Sequence, residues 1–87
     1  MDEGFRWNEW NLDHATRHGI TPTECESVVR RGKREYVGDG KFKATGRGEG
    51  DRWVQVVYCY DPEDTIYVIH ARPLADREKR RERRRRR

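Results

Sequence analysis

Apolar and polar positions along this chain follow two different rhythms. Up to about residue 32 the apolar positions recur at three- and four-residue spacing, and from about residue 35 to residue 70 they alternate. The first rhythm predicts two helices. Asn8 to His18 reads as the first, with Asn8 able to cap it, Glu9 in the first turn and Gly19 following as the residue past its end. Asn11, Ala15 and His18 share one side of this helix, and His14 flanks them. Thr21-Pro-Thr-Glu24 starts the second: Thr21 caps, Pro22 takes the first helical position and Glu24 completes a capping box. That helix runs through Cys25, Val28 and Val29 and stops near Gly32.

The second rhythm predicts strands. Glu35-Tyr-Val37 and Lys41-Phe-Lys-Ala-Thr45 are short ones, separated by the turn residues Gly38-Asp-Gly40. Gly46 to Asp51 forms a loop or wide turn. Trp53 to Tyr60 is a strong strand, Asp61-Pro-Glu-Asp64 a turn, and Thr65 to His70 the returning strand of a hairpin. Pro73 ends this run, and a basic helix begins between Leu74 and Asp76, its last five arginines fraying by self-repulsion. The expected architecture is an α+β domain of two N-terminal helices, an antiparallel sheet of three or four strands and a C-terminal basic helix. Residues 1–81 form the single domain, and 82–87 a basic tail. There is no internal repeat.

Charge sharpens this outline. Asp76 to Arg87 hold nine Lys/Arg against three Asp/Glu, a net +6, so residues 1–75 carry −2 of the chain's total of +4. A focused basic end seeks a polyanion, and phosphate backbones are the commonest in a cell. At 87 residues, 32% hydrophobic and 41% charged, the chain has room for one modest core, to which its nine aromatic residues contribute most of the area. Met1-Asp-Glu-Gly4 lacks the basic start and apolar run of a signal peptide, and no stretch reaches the ~20 apolar residues that span a bilayer. A cytoplasmic protein without membrane contact is expected. Cys25 and Cys59 are isolated and read as free thiols.

Most catalytic patterns are missing from the sequence. His14 and His18 stand at the spacing of a chelating pair, but Ala15-Thr-Arg17 between them is not the zinc-protease pattern, so no metal or other cofactor is expected. Ser27 lies mid-helix with no nucleophile elbow. Gly46-x-Gly-x-Gly50 has no helix after it to receive a phosphate. What remains is arginine, whose planar fork fits phosphate oxygens and can stabilise the charge of a cleaving phosphodiester. Arg47 ends one strand and Arg72 another, and Arg77, Glu78, Lys79, Arg80 and Arg81 follow on the adjoining helix. His70 lies two residues before Arg72, on the same strand face, and is the preferred acid/base group.

The run Phe5-x-Trp7-Asn8-x-x-Asn11, then His18-Gly-Ile-Thr21, resembles the start of BrnT-type toxins of type II toxin–antitoxin modules. The blocks Ala44-Thr-Gly-Arg47 and Val68-Ile-His-Ala-Arg72-Pro-Leu-Ala-Asp-Arg77-Glu78-Lys-Arg80 resemble the later part of that family, in the same order. The segment Arg31 to Gly40 is shorter than in typical members, and the last helix richer in arginine. The resemblance implies a RelE-like fold and a metal-independent endoribonuclease that cleaves mRNA, in some cases on the ribosome, and inhibits translation. It also implies a cognate antitoxin that neutralises the toxin, with promoter DNA bound only through the antitoxin complex. His18, Arg47, Arg72, Arg77 and Glu78 match the family positions. Arg72 and Arg47 would hold phosphate, Glu78 would orient a group or accept a proton, Arg77, Lys79, Arg80 and Arg81 would bind RNA, and His18 would serve a partner or the structure. The alternative is a non-catalytic nucleic-acid- or partner-binding protein that uses the basic helix.

Overall fold

The computed structural model describes residues 3–85. In chain order the elements are β1 (Phe5–Arg6), α1 (Glu9–Thr16), α2 (Pro22–Arg31), β2 (Lys33–Gly38), β3 (Lys41–Arg47), a 3-10 turn (Glu49–Asp51), β4 (Trp53–Tyr60), β5 (Ile66–Pro73) and α3 (Asp76–Arg85). The class is α+β. The sheet, however, has five strands in the order β1-β5-β4-β3-β2 and is mixed, because β1 runs parallel to β5 while every other pair is antiparallel. The expected three or four antiparallel strands therefore describe only its larger part. At two residues, β1 has no alternation for a sequence reading to detect; it is made by its pairing with Ile66 and Tyr67.

Local chemistry accounts for the helices. Asn8 caps α1 by accepting from the Asn11 amide, and Asn11 reciprocates by accepting from the Asn8 amide at 2.7 Å. The Asn11 amide group also donates to the Arg6 carbonyl at 3.0 Å, so this fully buried polar side chain is satisfied and ties the helix to the strand before it. The helix ends at Thr16, two residues short of the expected His18, because Gly19 takes a φ of 80° that closes the turn. Thr21 and Pro22 open α2 as expected, Thr21 accepting from the Glu24 amide.

Register decides which side chains share a face. Val54, Val56 and Tyr58 of β4 align with Ala71 and Val68 of β5 and with Ala44 and Phe42 of β3. This face packs against Ala15, Ile20, Cys25, Val28 and Val29 from the two helices and forms the core. Burial pushes the Cys25 thiol up to about 12, and both Cys25 and Cys59 are free. The opposite face carries Lys41, Lys43, Thr45 and Arg47 on β3, Trp53, Gln55, Val57 and Cys59 on β4, and Tyr67, His70 and Arg72 on β5. One end of it is covered by Leu74 and α3, where Trp53, Thr45 and Glu82 are buried. Of the tail expected to fray, residues 83–85 belong to α3, while Arg86 and Arg87 lie outside the described residues. Among the described residues no helix is long and apolar enough to cross a membrane.

Candidate nucleic-acid interface

Successive rows of cross-strand partners build the open face. Lys43, Val57 and His70 form one row, and Thr45, Gln55 and Arg72 the next. Arg47 with Trp53 begins a third. Strands ~4.8 Å apart and a rise of ~3.4 Å per residue put the cations of β3 about 10 Å from those of β5, with rows about 7 Å apart. Lys43, Arg47, His70 and Arg72 thus frame a polar centre of Thr45 and Gln55. His70 and Arg72 share this face as residues two apart, and a β-bulge at Ile69, between the Val57 and Tyr58 pairs, brings Tyr67 onto it as well.

Arg72 is held firmly. Its guanidinium donates to both oxygens of Glu78, at 2.9 and 2.8 Å, to the Pro73 carbonyl at 3.2 Å, and through a long 3.5 Å contact toward the Gln55 amide oxygen. Glu78 is the third residue of α3 and also accepts from the Ala75 amide at 2.8 Å, so one carboxylate both caps the helix and orients the arginine. The Arg72 bond, the Ala75 amide and the charge of Lys43 hold the Glu78 carboxyl at about 2. Such a carboxylate is a poor proton acceptor near neutrality, and its two bonds hold the Arg72 guanidinium in one orientation.

His70 has the opposite character. Burial, then the neighbouring His18 and Arg72, lower its pKa below the ordinary imidazole value of 6.5, so the ring is neutral near pH 7. His18, in the turn after α1, meets it edge-on with ring centroids 5.6 Å apart. A residue assigned by sequence to a partner or structural role is thus in contact with the acid/base candidate.

The other sequence-selected residues divide. Arg47 shares the face but pairs with Asp51 at 2.8 Å and lies 5.1 Å over the Trp53 ring, away from the Arg72–Glu78 contact. Arg81 lines a cleft of about 50 Å³ with Lys43, Gln55 and Glu78. That space suits water rather than a nucleotide, so a polymer would lie across the open face instead. Arg77 and Arg80 are exposed on α3, and Lys79 stands 3.6 Å from Asp76. No group of three or more His, Cys, Asp or Glu among the described residues is placed to hold a metal ion.

Two groups on this face escaped the sequence reading. Lys43 has no motif around it, and its signal is the alternation Lys41, Lys43, Thr45, Arg47, which becomes meaningful only once β3 is paired. Tyr67, with Trp10 and Arg6 beside it, carries no sequence signal beyond its place in a strand. Compared with known proteins, the chain matches no protein-family model and no curated sequence.

Proposed function

We propose that this protein is the toxin of a type II toxin–antitoxin module, a metal-independent endoribonuclease that cleaves mRNA and so inhibits translation. The observation that carries the proposal is the placing on one sheet face of a fixed arginine, Arg72, and two residues from it an imidazole, His70, whose protonation its burial disfavours. RNA carries its own nucleophile, so the protein needs only to manage charge and protons. His70 takes the proton of the 2′-OH, the 2′-oxygen attacks the adjacent phosphorus, and the bond to the 5′-oxygen breaks. The products are a 2′,3′-cyclic phosphate and a 5′-hydroxyl, whose proton comes from the imidazolium of His70 or through His18. Arg72 neutralises the charge that builds on the non-bridging oxygens, and Lys43 and Arg47 hold the flanking phosphates. The resemblance to BrnT-type toxins supports the same reading and supplies the antitoxin as the partner.

The test is cleavage of a defined RNA in excess chelator. Expected are 2′,3′-cyclic phosphate ends, no cut where the scissile nucleotide is 2′-deoxy, growth arrest on induction, and loss of all three effects in Arg72→Ala. Intact RNA and unimpaired growth with the wild-type chain would remove the toxin reading. A second reading has one observation in its favour: Glu78 already occupies both terminal nitrogens of Arg72. If RNA is bound with a steep salt dependence yet never cut, the face is a non-catalytic nucleic-acid-binding surface.

A further inference from the structure

Half of the surface of Trp10 is open to solvent, an unusual exposure for the largest apolar side chain in a protein with so little core material. It does not lie loose. The His14 ring stacks on it with centroids 3.8 Å apart and planes 15° from parallel, and Tyr67 lies 6.3 Å away at 22°. The two rings beside it are each fixed by further contacts. His14 Nδ1 is 2.7 Å from the Trp10 carbonyl, the Tyr67 hydroxyl donates to Asn8 at 3.0 Å, and the Arg6 guanidinium sits 4.5 Å over the Tyr67 ring. His14 thus backs one face of the indole, while Tyr67, nearly parallel but 6.3 Å away, is offset beside it rather than face to face and carries Arg6 on its own ring, so the exposed half of Trp10 is not enclosed between rings. Phe42 and Tyr58 are also near-parallel, 5.5 Å apart at 18°, but Tyr58 is fully buried, and the Tyr36–Phe42, Phe42–Tyr60 and Tyr58–Tyr60 contacts cross edge to face, so what sets the Trp10 group apart is its exposure.

The location matters as much as the rings. Tyr67 pairs with Cys59 and Arg72 with Gln55, four residues apart on β4, so the stack and the phosphate-binding arginine lie on one face about 14 Å apart. His70 lies between them. We propose that Trp10, backed by His14 and flanked by Tyr67, is a nucleobase-stacking platform that seats an unpaired base of a single-stranded RNA whose phosphate, a short distance along the strand, rests on Arg72. This deepens the RNA-directed reading of the face and rests on it. Stacking is indifferent to base identity but strong for any flat π surface, so the platform sets where the strand lies rather than which sequence is read.

The experiment measures the affinity of the full chain for a short single-stranded RNA made non-cleavable by 2′-O-methyl groups. It compares that strand with one of the same length carrying abasic sites. Wild type is expected to prefer the base-bearing strand about tenfold. Trp10→Ala and Trp10→Leu should erase that preference while still binding the abasic strand as well as wild type does, and Trp10→Phe should keep most of it. Arg72→Ala should weaken both strands equally. A preference unchanged in Trp10→Leu overturns the platform but leaves the RNA reading standing. Loss of neutralisation by a protein partner with RNA affinity intact would likewise overturn it and give the surface to that partner. A wild-type chain that binds neither strand ends both.

Discussion

Arg72 and Glu78 meet through two parallel N–H···O bonds of 2.9 and 2.8 Å, joining the end of β5 to the first turn of α3. The contact unites two functions in one carboxylate, capping a helix whose ten residues include six of the chain's arginines and fixing the arginine that faces the sheet. Its charge state sets when it exists. With the Glu78 carboxyl at about 2 in the folded chain against an ordinary 4.5, the folded state holds the proton less tightly than the unfolded one. The stability it contributes is therefore present above about pH 4.5 and lost as the pH falls toward 2. Following the Glu78 carboxyl by carbon NMR should show this low midpoint in the wild type and a return toward the ordinary value in Arg72→Ala.

The same geometry predicts non-additive kinetics. Arg72→Lys keeps the charge but not the fork, and single-turnover RNA cleavage should fall at least ~10-fold. Arg72→Ala should fall ~100-fold or more. Glu78→Gln should have a smaller effect on kcat, and the double variant should be no slower than Arg72→Ala, because Glu78 acts only through the arginine.

His70 gives a pH profile with a defined sign. As the proposed base it would act in its neutral form, and its pKa lies below 6.5 because of burial first and then of His18 and Arg72. The cleavage rate should rise with pH, with its half-rise below the 6.5 of an ordinary imidazole. His18→Ala removes one source of positive charge, so the half-rise should move upward. A profile identical in wild type and His18→Ala would separate the two imidazoles.

How much of this was legible in the sequence depended on whether the signal was local. Asn8 and Thr21 mark helix starts through bonds to their own neighbours and Pro22 through its fixed φ, so both starts are legible locally. The β4–β5 hairpin followed from alternation and the Asp61–Asp64 turn. Arg72 stood out because a strand and Pro73 bracket it. What could not be read depends on pairing between distant segments: the parallel β1, the Lys43 row, and the use of Trp10 and Tyr67 across 57 residues of chain. Glu24 shows the limit most clearly. Its spacing from Thr21 marks half of a capping box, yet its carboxylate is taken chiefly by Arg52 and the Glu49 amide.

That Glu24–Arg52 tie predicts an asymmetry. The carboxylate is buried, while Arg52 is partly open to water and also donates to the Gly19 carbonyl at 2.9 Å. Removing Glu24 frees an arginine that water can solvate; removing Arg52 strands an anion in the interior. Arg52→Ala should therefore lower Tm at pH 7 by more than Glu24→Gln does. The Arg52 bond is the largest cause of the low Glu24 pKa, so without it burial is opposed only by the Glu49 and Thr21 amides and the pKa rises from its wild-type position. The wild type therefore gains more from the ionised carboxylate than Arg52→Ala does, and the deficit of Arg52→Ala should shrink as the pH is lowered through the carboxylate range. Calorimetry at two pH values measures both effects.

Gly32 tests how the basic face is anchored to the helical layer. It sits between the end of α2 and the start of β2, with its amide donating to the Val28 carbonyl at 2.7 Å. A Cβ here would stand 2.5 Å from the Val28 carbonyl oxygen and 2.6 Å from that of Thr45, both rigid backbone atoms. Its φ of −80° is ordinary, so close approach of α2 to β3, not backbone freedom, selects glycine. Gly32→Ala must push the helix end off the strand that carries Lys43, Thr45 and Arg47, at a cost of about 3 kcal/mol or more. In a domain of this size that lowers Tm by at least ~12 °C. The displaced β3 should also weaken RNA binding in the fraction that remains folded, whereas Gly40→Ala, with open space around its Cβ position but a φ of 72°, should lose stability through backbone strain and leave RNA affinity unchanged.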